Sequence, residues 1–252
     1  MRSHTSAARY CLAGFVFLAC VTGAGNASAQ KQPDHLRVLF IGNSLTFAND
    51  VPAIVEALAD SQRKHLIHKS VAFPNYSLQD HWERGDARRA IASQRWDVVV
   101  LQQGPSALEE SRQSLLEYTR LFAKEIRAAG ATPALYMVWP SEARLRDFDR
   151  VVESYKLAAV EVNGMLLPAG AAWREAWKHD TKLDLYAADR LHPSLAGSYL
   201  AALVIYQKLF GVTPIGLPTR LKLRSKTPAE INLPKKDARV LQLAASETNK
   251  RF

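Results

Sequence analysis

Four short apolar runs, each stopped by glycine or proline, constrain this chain more than any other feature. Leu36–Ile41 runs into Gly42, Val98–Leu101 stops ahead of Gly104-Pro105, Leu135–Trp139 ends at Pro140, and Met165–Pro168 closes on its own proline. None alternates apolar with polar residues as a half-exposed strand would. Runs of this kind are strands buried on both faces, which occur in parallel sheets covered by helices. A further strand is expected at Leu66–Phe73. Helical spacing fills the intervals: Val51–Arg63, with Val51, Ile54, Val55 and Leu58 on one face, then Leu78–Gln94, Leu108–Ala129, Arg144–Val162, Ala171–Lys178 and Leu195–Phe210. Asn49 or Asp50 can cap the first of these, and Gly130 and Gly211 close two others. Repeated strand–helix units predict an α/β domain with a parallel sheet of about five strands.

The first 29 residues read as an address. Arg2 and Arg9 are followed by an apolar run, Cys11–Thr22, too short to span a bilayer comfortably, and then by the small-x-small triplet Ala27-Ser28-Ala29. A secretory signal peptide cleaved after Ala29 is expected, with export to a bacterial periplasm or beyond. An uncleaved anchor, or a lipoprotein signal ending at Cys20, are the rival readings. Both cysteines, Cys11 and Cys20, fall inside this segment, so the processed chain would have no thiol, no disulfide and no Cys-ligated metal. The formal charge of +9 drops to +7 on the remainder, 31 basic against 24 acidic residues, a field that favours anions without naming a partner. Residues 30–218 form the expected domain, and 219–252 a Pro- and Lys-rich extension whose last helix, near Lys236–Asn249, packs back on it. No integral span is expected after processing, and the oligomeric state is left open.

Polar residues gather where such a sheet binds ligands, at the C-terminal ends of its strands. Strand one ends in Gly42-Asn43-Ser44-Leu45-Thr46, strand two in Pro74-Asn75-Tyr76-Ser77, and strand three in Gln102-Gln103-Gly104-Pro105-Ser106. Near the end of the domain stands Asp189-Arg190-Leu191-His192-Pro193. A serine hydroxyl becomes a nucleophile only beside a base, usually a histidine held in one tautomer by a carboxylate. Asp189 precedes His192 by three residues, within reach of that ring in one turn.

These blocks resemble those of the SGNH/GDSL hydrolase family. Gly42-Asn43-Ser44-Leu45 matches the family's Gly-Asp-Ser-Leu with Asn for Asp, and Asp189 to His192 matches its Asp-x-x-His. The resemblance runs from Leu36 to about Gly211 and implies a three-layer α/β/α sandwich, flavodoxin-like in its parallel sheet. It further implies Ser44 as nucleophile, His192 as base and Asp189 as its orienting partner. The family's glycine after strand two is replaced by Asn75-Tyr76-Ser77, so the second oxyanion amide falls to Asn75 or Tyr76, beside that of Ser44. Its Gly-x-Asn-Asp after strand three is replaced by Gln102-Gln103-Gly104, closer to the Gln-Gly of some sugar-ester members. The side-chain donor is thus assigned to Gln103, with Gln102 as the substitute.

The function implied is an exported serine esterase that removes a short acyl group, acetyl first, from a carbohydrate, without metal or organic cofactor. A polysaccharide O-acyltransferase and a non-catalytic polysaccharide-binding protein are the alternatives. Asn43, Trp139 and His81 are candidate pocket residues. Trp173 and Trp177, four apart, are expected in the core, and His65 and His68 at a strand edge rather than on a metal. The basic residues of the extension, Arg220, Lys222, Arg224, Lys226, Lys235 and Lys236, lack interleaved aromatics, so no nucleic acid is expected as a partner.

Overall fold

The computed structural model describes Met1, residues 34–225 and residues 227–252. The expected cleavage point after Ala29 and both cysteines lie outside the described residues. Five strands, β1 (His35–Gly42), β2 (His65–Ala72), β3 (Val98–Leu101), β4 (Thr132–Tyr136) and β5 (Met165–Leu167), pair in the order β2-β1-β3-β4-β5, all parallel. The fold is the expected three-layer α/β sandwich.

The order dictates where the helices go. From β1 the chain steps outward to β2 through a one-turn helix, α1 (Ser44–Phe47), and α2 (Val51–Ser61). It then reverses across β1 to β3 through α3 (Leu78–Arg84) and α4 (Asp86–Ala92), and continues by α5 (Glu109–Ala128) and α6 (Phe148–Glu161) to β4 and β5. Crossovers are right-handed, so a reversal of direction moves the connecting helices to the other face. Accordingly α5 packs on α3, α4 and α6, while α2 packs on α8 (Leu195–Phe210), which adjoins α7 (Ala169–His179) and α9 (Lys235–Arg251).

The α2 face read from the sequence, Val51, Ile54, Val55 and Leu58, is fully buried. Asp50 accepts a hydrogen bond from the Ala53 amide at 3.2 Å and so caps the helix. Helix α8 is buried almost all round, from Tyr199 to Tyr206, because α9 covers its outer side with Ala238, Leu241, Ala244 and Ala245. The C-terminal extension therefore completes a helical layer.

Four local expectations are corrected. The helix expected over 78–94 breaks at Gly85, whose φ of 82° lies in the left-handed region that ends α3. β4 spans Thr132–Tyr136 rather than Leu135–Trp139, because burial outlasts pairing: Met137, Val138 and Trp139 are fully buried beyond the strand. Residues 142–147 form 3-10 turns, so α6 starts at Phe148 rather than Arg144. The extension also holds a small antiparallel hairpin, β6 (Arg220–Lys222) and β7 (Glu230–Asn232), that buries Leu221 and Ile231. Arg224 beside it reaches Glu56 at 2.7 Å and Asp60 at 3.0 Å on α2. Among the described residues no helix is long and apolar enough to cross a membrane.

Candidate active site

The connection out of β1 runs one way across the sheet and that out of β3 the other, which opens a crevice between the C-terminal ends of these strands. Ser44 opens α1 directly after β1, and Asn43 before it is the N-cap, its Oδ1 accepting from the Leu45 amide at 3.1 Å. From the far side of the crevice Gln102 reaches across. Its Oε1 accepts from the Asn43 amide at 2.8 Å and from Thr46 Oγ1 at 2.7 Å, and its Nε2 donates to Asn43 Oδ1 at 2.9 Å. Gly42 makes the approach possible, since a Cβ there would lie 2.3 Å from Gln102 Oε1 and 2.5 Å from Thr46 Oγ1. Asn43 Nδ2 completes the knot by donating to the Tyr76 carbonyl at 2.9 Å. An aspartate in place of Asn43 would have no proton for that bond.

The expected amide donors fare differently. Gln102 is fully buried and spends its second Nε2 hydrogen on the Gln103 carbonyl, at 2.6 Å. Gln103 accepts from the Leu78 amide at 3.0 Å and donates to Ser106 Oγ at 2.8 Å and to the Ser111 carbonyl at 3.3 Å. Neither side chain has a hydrogen left over, so the expectation of a free carboxamide donor is corrected: both glutamines hold backbone together. The Tyr76 amide closes a turn on the Phe73 carbonyl at 3.3 Å. Among the described residues, the amides of Ser44, Asn75 and Gly104 make no hydrogen bond with the protein.

His192 sits on a loop pinned from several sides. Ala187 donates to the His192 carbonyl at 2.8 Å, Glu142 to that of Arg190 at 3.0 Å, and Trp139 Nε1 to that of Leu191 at 3.2 Å. Asp189 Oδ2 lies 2.5 Å from His192 Nδ1, while its Oδ1 accepts from the amides of Leu191 at 3.0 Å and His192 at 2.9 Å. The His192 hydrogen bond, then the two amides, draw the Asp189 carboxyl down to about 2. With Nδ1 committed to that carboxylate, Nε2 is the free nitrogen of the ring. Asn49, in the left-handed region at φ 54°, donates to the Pro193 carbonyl at 2.9 Å and to Ser198 Oγ at 3.0 Å. It ties the segment after Ser44 to the residue after His192, a role that only the fold reveals.

A cleft of about 520 Å³ opens over these elements, lined by Ser44, Asn75, Gln103 and Gly104 on one side and by Pro140, Ser141, Arg144 and Leu191 on another. Asn43 lines it too. Trp139 does not: it is fully buried and stacked on Trp173, ring centroids 3.7 Å apart and planes within 11°. His81 is also buried rather than in the pocket. Its Nε2 donates to the Gly42 carbonyl at 2.7 Å, its Nδ1 has no partner, and burial pushes its pKa down. Trp173 lies in the core, with Trp177 partly buried at its edge. His65 and His68 lie on β2 beside Asp60 and Glu56.

A "putative SGNH hydrolase" from Slackia heliotrinireducens superposes with a TM-score of 0.60 at 29% identity, over 69% of this chain and 99% of that one. This is an SGNH-hydrolase fold. A DUF4886 family protein from Bacteroides uniformis superposes on the same fold at a TM-score of 0.70 and 19% identity, over 85% of this chain and 94% of that one. The acetylxylan esterase Axe2 from Geobacillus stearothermophilus does so at 0.54 and 18%, over 69% and 94%. Catalytic mutants of Axe2 alter an aspartate and a histidine three residues apart. No protein-family sequence profile matches the chain, and no curated protein matches its sequence. The SGNH likeness supports a hydrolase.

Proposed function

We propose that the protein is a serine ester hydrolase in which Ser44 attacks the carbonyl, His192 Nε2 takes its proton, and Asp189 stabilises the imidazolium that forms. The observation that carries the reading is the Asp189–His192 pair, closed at 2.5 Å on a loop whose Leu191 shares a cleft with Ser44. The same Asp-x-x-His spacing is altered in the catalytic mutants of Axe2, which adds weight. Ser44 and His192 make no hydrogen bond here, and such bonds tighten when substrate binds. The tetrahedral oxyanion takes the amides of Ser44, Asn75 and Gly104, which have no other acceptor. His192 then gives its proton to the leaving alcohol, and water releases the acyl group by the same route.

The proposed substrate is a short acyl ester, acetyl first, on a carbohydrate, met after export of the chain. Labelling by a fluorophosphonate probe, followed by peptide mapping, tests the chemistry. The adduct is expected on Ser44, and a protein that hydrolyses aryl acetates while Ser44 stays unlabelled would overturn the mechanism.

A further inference from the structure

Ionisable side chains are scarce in the cleft. Among its described lining residues Arg144 and Asp147 are the charged ones; the rest of the wall is made by small polar residues and by apolar ones such as Leu45, Pro105, Leu108 and Leu191. Asp147 is nearly buried and already spent. Its Oδ2 accepts from Arg144 Nε at 2.7 Å and pairs with Nη2 of the same guanidinium at 2.7 Å, and its Oδ1 lies 4.0 Å from Arg150. Two guanidiniums against one carboxylate leave a net positive charge at this corner.

The geometry of the pair decides where that charge is offered. Asp147 occupies the side of the guanidinium formed by Nε and Nη2. The end-on edge, Nη1 with the second Nη2 hydrogen, has no acceptor among the described residues, and the side chain is 44% exposed. An arginine whose side edge is fixed by a buried carboxylate presents its other edge at little cost in side-chain freedom, and that edge matches a carboxylate bidentately. Arg144 also stands on the wall that carries the base, since the Glu142 amide, two residues before it, donates to the Arg190 carbonyl in the His192 loop. In a serine hydrolase the base hands its proton to the leaving group, so that wall faces the alcohol and not the acyl half.

We infer that Arg144 binds a carboxylate on the alcohol portion of the substrate, so that the preferred ester is one carried by an acidic sugar or a comparable anionic alcohol. The inference rests on the ester-hydrolase reading and names the substrate class for it. The net positive charge of the whole chain draws such anions in the same sense.

The test compares two esters with similar leaving groups, 3-acetoxybenzoate and its neutral amide 3-acetoxybenzamide, at low salt. The wild type is expected to favour the carboxylate by about tenfold in kcat/KM, mainly through KM. Arg144→Met should bring the ratio to about one, and Arg144→Lys, which keeps the charge but not the fork, should leave it in between. Because the ratio is taken within one variant, a loss of stability or of active fraction cancels. A wild-type ratio of one or less, or a ratio unchanged in Arg144→Met, would overturn the inference. So would an equal, Arg144-dependent preference for an aryl hydrogen succinate over an aryl propionate, which would put the anion on the acyl half. If the wild type hydrolyses none of these esters, the hydrolase reading fails separately. The anion site is then read by calorimetry with the product pair 3-hydroxybenzoate and 3-hydroxybenzamide. Carboxylate binding that is lost in Arg144→Met upholds it, and equal or absent binding of the two overturns it.

Discussion

Asn43 and Gln102 hold each other by two reciprocal hydrogen bonds, the Asn43 amide to Gln102 Oε1 at 2.8 Å and Gln102 Nε2 to Asn43 Oδ1 at 2.9 Å. The pair joins the ends of β1 and β3 directly beside Ser44, and it fixes the turn from which the serine projects. Gln102→Ala would strip partners from the Asn43 amide and from Thr46 Oγ1 inside a buried site. Each orphaned group costs about 1–3 kcal/mol, so a loss of about 2–6 kcal/mol in chemical denaturation is expected. A change under 0.5 kcal/mol would show that the network is not what holds the turn.

Asn43→Asp, the residue more common in the family's motif, tests the other half of the knot. The carboxylate could still cap α1 and accept from Gln102, but it would face the Tyr76 carbonyl with no proton to give. Release of Tyr76 should loosen the loop that carries Asn75. Lower kcat on an aryl acetate is the expected outcome, with a stability loss of about 1–3 kcal/mol in chemical denaturation from the orphaned carbonyl.

Ser44→Ala and His192→Ala should each lower ester turnover by several orders of magnitude, and combining them should add little, because members of such a unit act together. Steady-state kinetics on refolded, monodisperse protein decide this. Undiminished turnover in Ser44→Ala would sink the proposed chemistry.

What the sequence made legible was whatever is written locally. β1 and β3 are continuous apolar runs, and the Ser44 turn and the Asp189-x-x-His192 loop each lie within five residues. The apolar run Leu135–Trp139 overshoots β4 because Met137–Trp139 stay as apolar and as buried as a strand past the last ladder pair, Tyr136–Leu167. The break at Gly85 is hidden in a helical pattern that continues on both sides, and the strands of the hairpin at 220–232 are too short to show alternation. The roles of Gln102, Gln103, Asn49 and Arg144 depend on partners three to 149 residues away, set by the strand order and by loop packing. No spacing rule on a single chain carries that information.

The carboxyl of Asp189 is held at about 2 chiefly by its hydrogen bond to His192. Carbon-13 NMR of labelled aspartate should follow its titration below pH 4, and in His192→Ala the midpoint should move up toward the ordinary value near 3.8. The sign for stability follows from the lowered value. The contribution is present above the unfolded pKa and is lost as pH falls from about 4 to about 2. Asp189 is half exposed, so that contribution is small, and the NMR midpoint is the sharper observable.

His81 works in the opposite pH range. Burial lowers its pKa from 6.5, so below that pH the unfolded chain binds a proton that the folded one refuses. Stability should be at its plateau above pH 7 and fall on acidification, with a slope of at most about 1.4 kcal/mol per pH unit from this group. His81→Gln keeps a donor for the Gly42 carbonyl and cannot titrate, so it should flatten the slope between pH 7 and pH 5. Parallel curves for the two proteins would assign the effect to other groups.

The stacking of Trp139 on Trp173 gives the His192 loop an optical signature of its own. Two indoles with centroids 3.7 Å apart and planes within 11° couple their electronic transitions, and one of them holds the Leu191 carbonyl through its Nε1. Trp177 and Tyr186 meet Trp173 edge-on, so the four chromophores form one asymmetric cluster. Near-ultraviolet circular dichroism of the unlabelled protein should therefore respond to a displacement of that loop by ligand, temperature or denaturant.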